Sequence, residues 1–583
     1  MKSIFTLIFV LIAFLGALGQ QVPRYGNNLY VEGEVSGVWM ADTVFVTGDI
    51  TLPPNESLEI APGVYVEFQG YYGFLIRGYS FNAEGAAGAP VVFSVQDTTG
   101  LHDIYSPDGG WRGITIMGGS KKGDPGPGIE FRHCRIEYAK AIYGESNANG
   151  GGVRIEGEGS FLFYKTTFFR NHSYFHGGGA YFKNANVDFY DCLFEDNYAG
   201  HPPTELQTFG SGGGLSGLHG GGYVTKSTFL NNEATGLGGG LCLDSSDVVI
   251  NSNIFKYNFS IIGGGVGYIR STPEKLIVNN LIAENVGYYF GGGIAFIEFA
   301  GKMMNNTIAN NASAMGGGMY LNDDASPIVE NTIFWGNTAG VEEQSQVFIW
   351  DVFSDPGFYY CNMQFGVNGI GGAGFEGDYI GCIETDPLFA GAGDHPYQLL
   401  AGSAAINAGD PNLDPEIMPA TDLAGNPRII GSIIDIGAYE YQGEQDDLFT
   451  VTFIVTDVDG ASIDNAVITL GGITNNEGDY VFENIAPGLH AYMVSSVCYV
   501  SLESELTLAE ADLAVEVALS GMPGDANGDQ VVNVADLISM VNYFIHEPPA
   551  VFCFENADIN GDGTINVLDV IGTVAIFAGN YRH

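Results

Sequence analysis

Between about residues 136 and 337 the chain repeats one pattern of apolar and polar positions. An aromatic or aliphatic residue stands three places before an asparagine: Phe168/Asn171, Phe194/Asn197, Phe229/Asn232, Phe255/Asn258, Ile282/Asn285, Ile308/Asn311 and Phe334/Asn337. Successive asparagines lie 26, 35, 26, 27, 26 and 26 residues apart. Five or six residues after most of them comes a glycine triplet, at 177–179, 238–240, 263–265, 291–293 and 316–318. Drift this small marks an internal repeat. The segments between glycines are short, rich in β-branched and aromatic residues, and alternating, as in Val187-Asp188-Phe189, Leu276-Ile277-Val278 and Met319-Tyr320-Leu321. That is strand patterning, with about three strands per period and no sustained helical period. The pattern predicts a mainly β fold, a right-handed parallel β-helix whose coils stack about 4.8 Å apart.

Stacked repeats put equivalent residues in columns. The Phe/Ile position points inward. Two places earlier runs a small polar column: Cys134, Thr166, Cys192, Ser227, Asn253, Asn280, Asn306 and Thr332. The repeated asparagine, which tolerates a left-handed backbone, is expected at a turn with its amide bonded to the copies above and below. The glycine triplet is expected at a corner too tight for a side chain. The 35-residue step holds an insertion near 201–210. These columns are read as scaffold rather than as a binding face.

The flanks are organised differently. Residues 33–93 are strand-rich. Asp49-Ile50-Thr51-Leu52, Ile60-Ala61-Pro62-Gly63-Val64, Trp111-Arg112-Gly113-Ile114-Thr115-Ile116 and Cys134-Arg135-Ile136-Glu137-Tyr138-Ala139 resemble the opening coils of secreted β-helix proteins. The Gly-Gly and Phe-x-x-Asn array resembles that of bacterial polymorphic outer-membrane adhesins. Thr385-Asp386-Pro387-Leu388-Phe389, Gly402-Ser403-Ala404-Ala405-Ile406-Asn407-Ala408-Gly409-Asp410, Thr421-Asp422-Leu423-Ala424-Gly425-Asn426-Pro427-Arg428 and Asp435-Ile436-Gly437-Ala438-Tyr439-Glu440 resemble the C-terminal end of the choice-of-anchor Q family, a pectin-lyase-like group. The resemblance covers about 382–441 and implies the last coils and a cap over the open end. Arg428 is expected to pair with one of the neighbouring acids. An acidic linker at 443–447 leads to 448–520, which reads as about seven short strands. There, Gly478-Asp479-Tyr480-Val481-Phe482 followed by Ile485-Ala486-Pro487-Gly488 is similar to the carboxypeptidase regulatory-like β-sandwich, a spacer module.

Net charge is −48 and Gly reaches 85 of 583 residues. After Lys302 the only Lys or Arg residues are Arg428 and Arg582. Nucleic acid and anionic membrane surfaces are therefore excluded as partners. Residues 1–19 read as a secretory signal: Lys2, an apolar run at 4–15, and Ala17-Leu18-Gly19 at the cleavage site. No later run is long and apolar enough to span a bilayer, so the mature chain is expected to be secreted, extracellular or cell-surface associated, not membrane-embedded. Seven cysteines do not make a disulfide scaffold. Cys134 and Cys192 share one column two coils apart, too far to bond. Cys361 and Cys382 flank a Gly-rich loop, and both a bonded and a free pair are open.

The strongest chemical motif is at the C-terminus. Residues 525–536 and 558–569, offset by 33, place hard oxygen donors at positions 1, 3, 5, 9 and 12 of a twelve-residue loop. They are Asp525, Asn527, Asp529, Asn533 and Asp536, then Asp558, Asn560, Asp562, Asn566 and Asp569. Position 7 offers a backbone carbonyl, from Val531 and Thr564. That is the spacing a seven-coordinate Ca²⁺ requires as the chain wraps it. Each loop runs into an apolar helix. The duplicated loop-helix with Asp at position 12 resembles a type I dockerin domain. The resemblance implies Ca²⁺ as cofactor and a cohesin-type scaffold protein as partner. Val534-Ala535 and Val567-Leu568 stand where dockerins choose partners and depart from the hydroxyl pair of clostridial ones, and Gln530 replaces a loop glycine. The expected domains are thus 1–19 signal peptide, 20–445 β-helix with C-terminal cap, 448–520 small β-sandwich and 521–583 small α-helical calcium module.

Many β-helices cleave acidic polysaccharides with a cationic base or clustered Asp residues. No such series stands out here, and catalytic residues stay unassigned. The best cluster is His172, His176, Lys183, Asp188 and Asp191. Tyr174-Phe175 and Tyr288-Tyr289-Phe290 precede glycine corners and suit either sugar stacking or packing. Three functions follow: a secreted protein that binds glycan or cell-surface polymer and is held by its calcium module; a polysaccharide lyase or glycoside hydrolase; or a purely structural surface protein.

Overall fold

The computed structural model describes residues 25–579 except 79, 119–127, 146–147, 202–208, 271–274, 342–343, 414–417, 431–432, 444–448, 476–477, 479, 486–487, 510 and 548. The signal segment 1–19 and most of the insertion lie outside the described residues. The chain divides into two compact units, Met1–Gln442 and Gly443–His583.

The first unit is a right-handed parallel β-helix. Each regular coil carries four strands, one more than the periodicity suggests. One coil holds Asn186–Tyr190, Leu193–Glu195, Tyr198–Ala199 and Leu215–Leu218. The next holds Gly221–Thr225, Thr228–Leu230, Glu233–Ala234 and Leu241–Asp244. The extra strand is only two residues long in these coils, too short to show alternation in sequence. Coils pair in parallel and in register, so that Phe194 faces Phe229 and Phe229 faces Phe255. The pairings form sheets of 24, 13 and 7 strands. The long strand Thr43–Leu52 pairs with two successive segments and joins two strand series into the largest sheet.

Register makes the core. Phe168, Phe194, Phe229 and Phe255 stack with ring centroids 4.5, 4.6 and 4.7 Å apart, close to the coil spacing. A second column runs Phe131–Phe163–Phe189 at 4.8 and 5.0 Å. The asparagines form a continuous buried ladder. Asn232 accepts from the Asn197 side chain at 2.9 Å, donates to Asn258 at 3.0 Å, and donates to the Phe194 carbonyl at 2.9 Å. The polar column bonds likewise, with Asn253 donating to Asn280 and Asn280 to Asn306.

One expectation is corrected in detail. The left-handed residue is not the ladder asparagine but the one before it: Arg170, Asp196, Asn231, Tyr257, Glu284 and Asn310 have φ from 52° to 59°. The turn aims the asparagine inward while its predecessor faces out, so diverse residues fill the strained position. At the glycine corners, Gly177 has φ +66°. A Cβ on Gly178 would lie 2.4 Å from the Tyr198 carbonyl oxygen. After the insertion, 212–214 builds the same corner, with Gly212 at φ +67°.

The expected end cap is also corrected. Ile383 continues the last coil, paired in parallel with Asn362, but the described residues between 397 and 439 pack along the side of the helix rather than across its end. Tyr397, Ala438 and Tyr439 cover Leu281, Ala283 and Ala309, and Leu399, Ala405 and Ile436 cover Ile333. Asn305 donates to the Asp435 carbonyl at 2.9 Å, and the Gly437 amide donates to the Asn331 carbonyl at 2.8 Å. The outward positions of these coils are apolar or small, so a flank must be covered. Phe375 and Tyr379 pack on Phe358 near the last coil. Arg428 is buried here. Its Nη2 donates to the carbonyls of Asp435 (3.1 Å) and Gly437 (2.7 Å), so backbone oxygens rather than a carboxylate receive it.

The second unit contains a seven-stranded sandwich. Val481–Ile485, Phe449–Asp457 and Leu513–Leu519 form one sheet, and Ile473–Asn475, Val467–Leu470, Gly488–Ser495 and Leu502–Leu508 the other. Its core includes Val451, Phe453, Ile468, Phe482, Val494 and Leu519. Helices α1 (Val534–Phe544), α2 (Phe554–Ala557) and α3 (Val567–Gly579) follow, packed around Ala526, Met540, Ala557 and Ile565.

Candidate functional site

The two acidic loops fold by the same local rules. In the first, Asp525 Oδ1 accepts from the amides of Gly528 (2.9 Å) and Asp529 (3.1 Å), and its Oδ2 from Gln530 (3.0 Å). In the second, Asp558 accepts from Asp562 (3.2 Å) and Gly563 (2.7 Å). The loop-closing acid does two jobs. Asp536 accepts from the Asn527 and Asn533 amides, the latter as half of the capping box that starts α1. Asp569 repeats this with Asn560 and Asn566.

Asp525, Asp529 and Asp536 each offer an oxygen within 4.8 Å of the others. Burial, followed by the charges of Asp525 and Asp529, pushes the Asp536 carboxyl up despite two backbone hydrogen bonds. Such a group of carboxylates is what a hard cation relieves. Among the described residues the first loop alone gathers three carboxylates this closely. The loops also differ at position 6. Gly563 takes φ +74° without a side chain, whereas Gln530 takes φ +64° and bonds Ser501 at 3.1 Å through its amide nitrogen.

Two features here were not read from the sequence. Cys498 of the sandwich is disulfide-bonded to Cys553 beside the first loop, with Cα atoms 5.4 Å apart. Cys361 and Cys382 instead remain free, the Cys361 amide donating to the Cys382 sulfur at 3.4 Å as successive rungs of the polar column. Cys134 and Cys192 are free and buried. The second feature is a pair of exposed apolar stripes. Val534, Ile538 and Val541 on α1 are 56%, 57% and 47% exposed. Val567, Ile571 and Val574 on α3, each offset by 33, are 64%, 59% and 38% exposed. The signal was available in the apolar residues at i, i+4 and i+7 of both helices.

On the β-helix the proposed polar cluster does not converge. His172 lies in the short strand His172–Ser173, Lys183 ends Ala180–Lys183, and Asp188 lies in Asn186–Tyr190, three strands of three different sheets. His172 is buried, which lowers its pKa to about 3, and Asp191 pairs with Lys165. The two aromatic groups divide. Tyr174 is buried against Tyr105, Tyr143 and His201, whereas Tyr288 and Tyr289 are exposed beside Phe290, which meets Tyr320 and Trp350 at 4.7 and 5.3 Å.

Fold and loops together define a parallel β-helix protein ending in a duplicated acidic loop-helix module. Residues 112–300 match the family model of the right-handed β-helix region, and residues 523–571 match the dockerin type I domain. No curated protein matches the chain. Solved structures with partial likeness include the periplasmic alginate epimerase AlgG, at 11% identity over 60% of this chain and 77% of that one, TM-score 0.35. The pectate lyase Pel9A shares 12% identity over 69% and 88%, TM-score 0.30. XylC in complex with xylose shares 12% over 68% of each, TM-score 0.28. Among the described residues no helix is long and apolar enough to cross a membrane.

Proposed function

We propose that this chain is a secreted β-helix protein that holds a glycan or cell-surface polymer and is itself held by a calcium-dependent docking module. One observation carries the reading: two acidic loops and two exposed apolar stripes recur at the same 33-residue offset. An unpaired stripe of isoleucine and valine on a surface helix marks an interaction site. Ca²⁺ would be held by Asp525, Asn527, Asp529, the Val531 carbonyl, Asn533 and Asp536, and by Asp558, Asn560, Asp562, the Thr564 carbonyl, Asn566 and Asp569. The bound ion would fix the start of each helix and so the pitch of its stripe. A cohesin-type protein is the partner such a module fits, with Val534 and Val567 at the start of its two stripes. Residues 1–19 supply the route outward, the 382–441 segment follows the choice-of-anchor Q pattern, and 448–520 acts as a carboxypeptidase regulatory-like spacer. The exposed Tyr288 and Tyr289 are suited to stacking on sugar faces.

The test is titration of the full chain with Ca²⁺ by calorimetry, followed by capture on an immobilised cohesin with and without chelator. Two binding events and calcium-dependent capture are expected. Absence of calcium binding at millimolar ion, or capture indifferent to chelator, overturns the docking half. Incubation with a panel of acidic and neutral polysaccharides tests the other half. Retention without shortening is expected, and depolymerisation would replace binding with catalysis.

A further inference from the structure

One strand before a glycine corner is a residue longer than the strands beside it. Val286–Phe290 pairs with Phe259–Ile262 on one side and with Ala312–Met315 on the other. Gly287 faces Ser260 and Ser313, and Phe290 faces Ile262 and Met315. Between those rungs the middle strand carries Tyr288 and Tyr289, where its neighbours carry only Ile261 and Ala314. Two residues opposite one make a β-bulge, which interrupts the ladder and re-aims side chains. Tyr288 and Tyr289 are 59% and 52% exposed, so the extra residue adds nothing to the core and turns two rings outward.

The rings continue across the corner. Tyr288 meets Tyr289 at 4.6 Å and 78°, Tyr289 meets Phe290 at 6.2 Å and 43°, and Phe290 meets Trp350 at 5.3 Å and 75°. Half-exposed Trp350 is fixed by its amide, which donates to the Leu321 carbonyl at 2.9 Å, and by Tyr320 and Phe348, each 6.4 Å away on paired strands. All of these contacts are edge-on or tilted, so among the described residues no ring stacks flat on Tyr288, Tyr289 or Trp350. Nor does a protein group among them take the two phenol hydroxyls or the indole N–H. The strip therefore offers bare ring faces with polar rims, whereas the helix stripes of the calcium module offer valine and isoleucine alone. An apolar face with a polar rim is the complement of a pyranose ring, which has C–H faces and a rim of hydroxyls.

Charge narrows the ligand. The chain has no Lys or Arg between Lys302 and Arg428. Cations lie over other rings, such as Tyr164 and Tyr190, but among the described residues over none of this strip. Burial, followed by the charges of Asp323 and Asp351, pushes the Tyr320 hydroxyl up to about 12, which sets two carboxylates beside the strip. Asp351 is held by the amides of Phe353 (2.8 Å) and Asp323 (2.7 Å), and the Asp323 side chain is exposed. Carboxylates accept from hydroxyls and repel anions.

We propose that Tyr288, Tyr289 and Trp350 form a stacking shelf for the rings of an uncharged glycan. The ring faces take the C–H faces of successive sugars, and the phenol hydroxyls, the indole N–H and the Asp323 carboxylate take their hydroxyls. The inference rests on the glycan-binding reading above, adds Trp350 to its two tyrosines and narrows it to neutral chains.

The experiment is calorimetric titration of the full chain with cellohexaose, mannohexaose and hexagalacturonate. At least one neutral hexamer is expected to bind, and the uronate much more weakly. Tyr289→Ala and Trp350→Ala should each weaken the neutral hexamer about tenfold, the scale of truncating an aromatic anchor. Trp350→Phe should keep most of the affinity. Of the four tryptophans, Trp39 and Trp111 are buried, so fluorescence should respond to the neutral hexamer and lose most of that response in Trp350→Phe. Thermal melts of the variants should match the native chain, since the replaced rings are exposed. Uronate binding as tight as neutral binding, or neutral binding unmoved by both alanine substitutions, overturns the shelf and leaves the broader glycan reading standing. Dimers that dissolve in Trp350→Ala would assign the strip to a second copy of the chain and overturn it too. Failure of every hexamer and of every polymer in the panel above would remove both readings.

Discussion

Cys498 and Cys553 are joined across the second unit, tying the connection between sandwich strands Gly488–Ser495 and Leu502–Leu508 to the segment that braces the first acidic loop. The Cys553 amide donates to the Ala526 carbonyl at 2.9 Å, and the Asn556 side chain donates to the Cys498 carbonyl at 2.8 Å. The disulfide thus ties the sandwich to the segment that hydrogen-bonds the first loop at Ala526 and leads through α2 into the second loop at Asp558. Replacing both cysteines by serine should lower the stability of this unit by about 2–4 kcal/mol. Calcium affinity should fall more at the first loop, whose Ala526 carbonyl the Cys553 amide holds, than at the second. Thermal melts and a two-site calcium titration read both effects. Equal loss at the two loops would contradict the brace.

The asparagine ladder should be among the costliest surfaces to break. Asn232→Ala would strip the Asn197 backbone amide of its side-chain acceptor and take one partner each from the Asn197 side-chain amide, Asn258 Oδ1 and the Phe194 carbonyl, all buried. A destabilisation of roughly 2–5 kcal/mol is expected from stranded buried groups. Asn231→Ala, one residue away at φ +54° but facing out, should cost about 1–2 kcal/mol through backbone strain alone. Denaturant unfolding of the two variants distinguishes them.

The paired stripes predict redundancy. Ile538→Lys or Ile571→Lys alone should weaken partner capture modestly, and the double substitution should abolish it. Both side chains are exposed, so stability should move by no more than about 0.5 kcal/mol. Surface-plasmon capture beside a thermal melt checks this. A single substitution as damaging as the pair would show that one stripe suffices.

Acidity should act on the covering segment through Glu440. Its burial, with Asp435 beside it, pushes the carboxyl up to about 7, against the opposing charge of Arg428. The folded state therefore holds that proton more tightly than the unfolded chain. Its contribution is full below the ordinary carboxyl range and is lost as pH rises through about 7. Buried His172, lowered to about 3, has the opposite sense, costing stability as pH falls below its ordinary 6.5. Melting curves from pH 5 to 8 should show Glu440→Gln gaining on the native chain as pH rises. Parallel curves would remove Glu440 from the pH response.

Much of this molecule was legible from local pattern. Period, inward column and glycine corners follow from the spacing of Phe, Asn and Gly, because each coil's contacts repeat those of its neighbour. The acidic loops were legible for the same reason: the Asp525 and Asp536 bonds all fall within twelve residues. Contacts between distant segments were not. Nothing near residue 438 says that Ala438 lies on Ala309, or that Cys498 meets Cys553, because such pairings depend on the path of the whole chain. The polar cluster around His172 failed for a related reason. Residues close in sequence on a β-helix face three directions, and only the turn of the coil decides which. The asparagine–glycine repeat thus determined by itself that a long, regular β-helix forms. Which of its flanks is covered, which aromatic rings meet on one shelf and which apolar stripes remain bare were decided by tertiary packing, where burial is settled by what else the chain has to place there.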